Sequence, residues 1–225
     1  MQGKATVAAF DKQEGFATLR ARFPPGSAAG VAIGASVAIN GTCLTVTQQH
    51  GDELCFDLIV ETLRATNLGS LAVGSVVNFE RSARIGDEVG GHNVSGHVHT
   101  TAVVSAVEDT PSNRKVIFTV PLAHMKYILP KARAPHAPAT AMPAAACTVG
   151  TDLLHFVSQG FIAVDGCSLT VGEVTRDAFN VWLIPETLRA TTFGQRAVGD
   201  VVNLELDAQT VAIVDTVERV LAAKS

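Results

Sequence analysis

Apolar and polar residues alternate along most of the chain in short runs, and the runs are separated by turn formers. Gly3 to Arg22 alternates weakly and is rich in Ala, Val, Thr and Phe, which predicts one or two strands before Pro24, Pro25 and Gly26 break the pattern. Apolar side chains fall on alternate positions in Ser36 to Asn40 and again in Cys43 to Thr47, with Asn40-Gly41 between them. Asn-Gly supplies the positive φ angles of a type I′ turn, so this stretch predicts a tight hairpin. Leu44 and Val46 then face inward, leaving Cys43 and Thr45 on the other face for a ligand. Leu54 to Val60 reads as a further strand, Glu61 to Thr66 as a short helical turn ending near Asn67 and Gly69, and Val76 to Glu80 as another strand. Many short strands with frequent turn signals predict a small closed barrel or sandwich. Near the end, Ile213, Val214, Val217, Val220 and Leu221 recur at three- and four-residue spacings, predicting an amphipathic helix over 209–224. Its apolar stripe either folds back on its own chain or packs against a neighbour.

The strand pattern occurs twice. Residues 36–82 and 161–207 superpose without a gap at an offset of 125, with 22 of 47 paired positions identical. NGTCLTV answers DGCSLTV, ETLRAT recurs unchanged, and VGSVVNFE answers VGDVVNLE. The chain is therefore a duplicated domain with one barrel per copy. Upstream, Gln2-Gly3 reads as the counterpart of Ser95-Gly96, an offset of 93, which makes the second copy longer by 32 residues. Most of the excess lies in 132–159, a 28-residue stretch with eight Ala and three Pro. Such composition does not continue a sheet, because Pro removes ladder donors and Ala packs little surface. It predicts a mobile excursion: a disordered insert, a lid, or an erroneous reading of the gene.

Composition adds little to this picture and excludes several classes. In 225 residues, 47% hydrophobic and 17% charged with net charge −4, nothing recruits nucleic acid or an anionic membrane. The apolar runs are too short to span a bilayer. Met1 leads directly into a strand pattern, which reads as no signal peptide and makes the cytoplasm the expected compartment. Cys43, Cys55, Cys147 and Cys167 lack paired spacing and read as reduced thiols.

The duplication separates shared needs from single ones. Gly41 with Gly166 and Gly69 with Gly194 read as structural, glycine marking backbone angles that other residues resist. Thr45 with Thr170, Glu61 with Glu186 and Thr62 with Thr187 are shared polar positions that either bind one heterocycle per barrel or serve the fold, the Glu as a cap. Chemistry that happens once needs unmatched groups: Ser36 stands opposite Phe161, Asp207 opposite Ser82, and His97 near Lys4. Ser, His and Asp suit proton transfer. No nucleophile elbow supports a hydrolytic triad, and neither phosphate-loop pattern is present. His92, His97 and His99 lack an accompanying acidic or thiolate ligand at metal spacing, so no metal is expected.

Taken together, NGTCLTV, ETLRATNLG, VNFER, GGHNVSGHV, DGCSLTVGEV, LIPETLRATTFG and VDTVERVL closely resemble the riboflavin synthase alpha-chain family, which includes the non-catalytic lumazine proteins. The resemblance implies an all-β fold of two tandem six-stranded Greek-key barrels, at 1–91 and 92–207, and a helix at 208–225 that assembles a homotrimer. It implies transfer of a four-carbon unit between two molecules of 6,7-dimethyl-8-ribityllumazine, without metal or organic cofactor, and association with lumazine synthase. One lumazine would sit on each barrel, the reacting pair meeting between barrels of neighbouring subunits. Carried over by motif, the first set of binding residues is Cys43, Leu44, Thr45, Asp57, Leu58, Ile59, Val60, Glu61, Thr62, Gly96, His97 and Val98. The second is Ser168, Leu169, Thr170, Leu183, Ile184, Pro185, Glu186, Thr187 and Leu188, with Lys131 also touching ligand. Ser36, Cys43, His97 and Asp207 fall where the family places its reacting centre.

This chain departs from the family pattern twice. The family's Met-Phe-Thr-Gly-Ile-Val opening, which helps form the N-terminal substrate site, is missing ahead of Gln2-Gly3. The insert separates Lys131 from Gly160-Phe161, with Gln159 at the seam. These departures leave a non-catalytic lumazine or flavin binder, or an impaired enzyme, as the alternative to an active transferase.

Overall fold

The computed structural model describes residues 1–130 and 160–223. In the first copy, β1 (Gly3–Gln13), β2 (Phe16–Arg22), β3 (Ser36–Ile39), β4 (Thr42–His50), β5 (Glu53–Ile59) and β6 (Val76–Arg81) close an antiparallel barrel in the order β1-β2-β5-β4-β3-β6. A short helix, α1 (Val60–Ala65), and a 3-10 turn (Asn67–Ser70) join β5 to β6. The second copy repeats this with β7 (Thr100–Asp109), β8 (Arg114–Thr119), β9 (Phe161–Val164), β10 (Cys167–Thr170), β11 (Ala178–Leu183) and β12 (Val201–Glu205). Their order, β10-β9-β12-β7-β8-β11, is the same ring cut between β10 and β11. Gly172 N–H donates to the Asn180 carbonyl, Asn180 N–H donates to the Glu173 carbonyl, and with a bridge from Val174 to Phe179 these bonds nearly close the gap. Among the described residues three further helices follow β8, β11 and β12, namely α2 (Leu122–Met125), α3 (Pro185–Ala190) and α4 (Ala208–Ala222), and a second 3-10 turn (Thr192–Gly194) follows α3.

Alternation along the strands builds both cores. Leu44 and Val46 are 5% and 1% exposed while Cys43 and Thr45 face outward, as their spacing predicts. Asn40 and Gly41 turn the β3–β4 hairpin with φ of 45° and 74°, and Asp165 and Gly166 repeat this at 44° and 79°. Each barrel fills with one cluster, centred on Phe56, Leu58 and Phe79 in the first and on Phe118, Phe179 and Phe193 in the second.

The strand register corrects the upstream alignment of the copies. Lys4 opposes Asn78, whereas Thr101 opposes Asn203, the counterpart of Asn78. Thr101 therefore stands for Lys4, an offset of 97 and not 93. Buried Ala5 and Val7 then match buried Ala102 and Val104. The two-residue likeness of Gln2-Gly3 to Ser95-Gly96 was coincidental, and His97 has no counterpart at Lys4. With offsets of 97 and 125 the second copy is longer by 28 residues, the full length of 132–159, which lies outside the described residues.

A polar seam joins the barrels about a pseudo-twofold axis. Asn67 donates its backbone N–H to Asn203 Oδ1 at 2.7 Å, and Thr192 donates to Asn78 Oδ1 at 2.8 Å. Asn203 Nδ2 reaches the Asn40 carbonyl at 2.8 Å and Asn78 Nδ2 reaches that of Asp165 at 3.2 Å. The symmetry breaks at Asp165, fully buried where the first copy has Asn40. There Arg196 Nη2 meets Asp165 Oδ2 at 2.6 Å. Burial pushes the Asp165 carboxyl up, and Arg196 opposes that shift most strongly. Buried amides so matched cost little, because nearly every donor finds an acceptor. The shared Asn of VVNFE and VVNLE is thus a seam residue.

Candidate active site

On the first barrel, the outward faces of β4 and β5 present Cys43, Thr45, Asp57 and Ile59, and Val60, Glu61 and Thr62 follow in α1. Thr18 Oγ1 donates to Asp57 Oδ1 at 2.9 Å. Ile59 is 60% exposed, an apolar platform beside polar neighbours. Leu44 and Leu58 point into the core, so only their main-chain groups are available to a ligand. Neither Glu61 nor Glu186 caps its helix; Thr66 and Thr191 cap the 3-10 turns that follow.

The linker between barrels completes this face. Cys43 N–H donates to the Gly96 carbonyl at 2.9 Å. A Cβ added at Gly96, where φ is +81°, would lie 2.6 Å from Cys43 Cβ, so only glycine permits the approach. Ser36, opposite Thr45 in the β3–β4 ladder, lines the same cavity of about 420 Å³ as Cys43, Gly96, His92 and Ser168. His97 stands beside it, exposed, with ring Nδ1 2.9 Å from Ser95 Oγ. Glu205, 6% exposed at the end of β12, anchors this segment. Its Oε1 accepts Ser95 N–H at 2.6 Å and Ser95 Oγ–H at 2.8 Å, and its Oε2 accepts Gly96 N–H at 2.9 Å.

On the second barrel, Ser168, Leu169 and Thr170 occupy β10, while Leu183 at the end of β11 is buried. Ile184 is 61% exposed, and Pro185, Glu186, Thr187 and Leu188 form the first turns of α3. Glu186 accepts from Arg189 Nε at 2.9 Å, which holds its carboxyl below the usual range. The Ser168 hydroxyl is engaged by the linker: it accepts His92 N–H at 3.2 Å and meets His92 Nδ1 at 2.7 Å. Asp207 caps α4 through Thr210 N–H at 2.7 Å and lines a smaller cleft with Phe161, Tyr127 and His92. Ser36 and Cys43 thus share a cavity with His97 adjoining it, and Asp207 opens onto a different cleft. Lys131 lies outside the described residues.

The two other linker histidines differ in exposure, His92 being half-buried and His99 exposed. His92 and His99 are both pushed below the ordinary imidazole range by desolvation, which outweighs the opposing pull of Glu205 on each and of Asp207 on His92. His99 Nδ1 accepts Leu206 N–H at 3.2 Å. Among the described residues no group of three or more His, Cys, Asp or Glu is arranged to hold a metal, and no helix is long and apolar enough to cross a membrane. Motif reading singled out neither Glu205 nor Ser95. Glu205 is the repeat partner of Glu80, and that shared identity in VNLE and VNFE was the available signal.

The lumazine binding domain family matches residues 1–82 and 140–207. Riboflavin synthase of Escherichia coli (strain K12) is 46% identical over all of this chain and 92% of its own length. That of Buchnera aphidicola subsp. Baizongia pistaciae is 40% identical over 84% of this chain and 76% of its own. Among solved structures, LumP complexed with riboflavin superposes with a TM-score of 0.75 at 21% identity, covering 92% of this chain and 96% of that one. LumP complexed with 6,7-dimethyl-8-(1'-D-ribityl) lumazine gives 0.73 at the same identity and coverage. At that identity the likeness establishes the two-barrel fold alone.

Proposed function

Because the chain belongs to the riboflavin synthase family of lumazine-binding proteins, we propose that it binds one 6,7-dimethyl-8-ribityllumazine on each barrel and transfers a four-carbon unit between them. Riboflavin and 5-amino-6-ribitylaminouracil are the products. Their atoms sum to two lumazines, so the reaction needs neither oxidant nor reductant.

The observation that carries this reading is a duplicated cradle with unduplicated chemistry. Each barrel offers the same strand edge, Cys43-Leu44-Thr45 or Ser168-Leu169-Thr170, and the same strand-to-helix step, Ile59 to Thr62 or Ile184 to Thr187. Only the first has a serine in the place of Ser36 and the His97 segment laid against it. Holding two heterocycles face to face supplies proximity, and His97 is suited to take a proton from the acidic C7 methyl while Ser36 and Cys43 flank the reacting atoms. Asp207 opens onto another cleft of the same chain, which favours assembly of the complete centre from the first barrel of one subunit and the second of its neighbour. Helix α4, with Ile213 and Val220 42% and 48% exposed, is suited to join subunits into a trimer.

Titrating the chain with the lumazine by fluorescence should give two bound per chain, and His97→Ala should keep both sites while losing riboflavin formation. A single site per chain would contradict the paired cradle. Turnover undiminished in His97→Ala would remove the role given to that ring.

A further inference from the structure

We propose that Glu205 and Ser95 are positioning residues that fix the tautomer of His97, leaving its Nε2 as the proton-accepting nitrogen. Both Glu205 oxygens already accept backbone N–H groups, one from Ser95 and one from Gly96, at 2.6 and 2.9 Å. Backbone N–H groups can only donate, so the carboxylate is held as a pure acceptor. Ser95 Oγ lies 2.8 Å from the same carboxylate oxygen, and its single hydrogen must point there, because two acceptors facing each other at that separation repel. The Ser95 oxygen is then left only as an acceptor toward His97 Nδ1, 2.9 Å away. Nδ1 must therefore carry the ring hydrogen, and the lone pair is assigned to Nε2.

The order is carboxylate, hydroxyl, imidazole. It orients the ring as a carboxylate orients the imidazole of a hydrolase, with one hydroxyl interposed. When Nε2 accepts a proton, Nδ1–H keeps its bond to Ser95, and the negative charge of Glu205 lies one hydroxyl away from the imidazolium. Glu205 is well placed for this, being 6% exposed and held at the end of β12, whose Glu205 opposes Ala163 in β9. His99, two residues on, is engaged in the opposite sense: its Nδ1 accepts Leu206 N–H at 3.2 Å, so its hydrogen sits on Nε2. Two histidines of one segment are thus set in opposite tautomers by their partners.

The catalytic consequence rests on the reading of His97 as a proton acceptor, whereas the tautomer does not. Long-range 1H–15N correlation spectra of the histidine-labelled protein, with His97 assigned through His97→Gln, read the tautomer directly. Wild type should show Nδ1–H at His97, and Ser95→Ala should shift the ring toward Nε2–H, with Ser95→Thr restoring it. The same Ser95→Ala protein should lose about tenfold or more in kcat with lumazine affinity little changed, and Ser95→Thr should recover most of the loss. Nε2–H at His97 in the wild type, or a tautomer unmoved by Ser95→Ala, would overturn the hydrogen-bond chain. The predicted tautomer together with full turnover in both Ser95→Ala and His97→Gln would overturn the positioning role and the reading of His97.

Discussion

At the scale of single residues, the site is governed by which groups burial withholds from solvent. Burial pushes the Cys167 thiol up to about 12 and raises that of Cys55, while Cys43 faces outward beside Gly96. Iodoacetamide at about pH 8 should therefore alkylate Cys43 and spare Cys55 and Cys167 in the native protein, as peptide mapping would reveal. Modification of Cys167 at a comparable rate would contradict the packing. His92 and His99 carry folded-state values below the ordinary 6.5, with burial as the first cause. Below 6.5 the unfolded chain binds protons that the folded rings refuse. Their contribution to stability is whole above that pH and is lost as pH falls through the folded values. NMR titration should place both midpoints under 6.5, and the urea midpoint should be lower at about pH 5.5 than at about pH 7.5. A midpoint above 6.5 for half-buried His92 would contradict its desolvation.

At the scale of elements, the hairpins and the turns after α1 and α3 show how far sequence reasoning reaches. Asn40-Gly41 and Asp165-Gly166 were legible because a type I′ turn demands their conformations, and both adopt them. Gly69 and Gly194 were recognised as structural for the wrong reason. Neither has a positive φ; a Cβ at Gly69 would sit 2.4 Å from the Leu63 carbonyl oxygen, and at Gly194 2.6 Å from that of Leu188. What excludes a side chain there is the carbonyl six residues upstream in the same helix-to-turn step, a local contact in both copies and not a special backbone angle. Gly69→Ala should thus cost about 2 kcal/mol or more, because backbone must move. Gly74→Ala, with φ of +89° but open space around it, should cost only about 1 kcal/mol of strain. Urea denaturation of the two variants tests the difference, and an equal loss would contradict it.

At the scale of the whole molecule, duplication was legible from the unbroken 125-residue offset, and with it two barrels and paired binding faces. The upstream offset was not, because a two-residue likeness carries less information than the inward register of Ala5, Val7, Ala102 and Val104. Likewise asymmetry singled out Ser36 and Asp207 and motif singled out Cys43, whereas the asymmetry argument for His97 leaned on a pairing with Lys4 that the register overturns, and Glu205 gave no signal because its hydrogen bonds reach the linker, 109 residues away at Gly96. Helix α4 carries the prediction at this scale. Ile213→Asp should shift sedimentation toward the single chain and abolish turnover while each barrel keeps measurable lumazine affinity. A monomer with full activity would contradict assembly of the centre between subunits.

The most direct test of two cradles serving one transfer is to incubate the purified chain with 6,7-dimethyl-8-ribityllumazine and quantify both products by chromatography. The account predicts catalytic turnover, with riboflavin and 5-amino-6-ribitylaminouracil formed in equal amounts from two lumazines consumed. Lumazine bound on both barrels with neither product formed would contradict it.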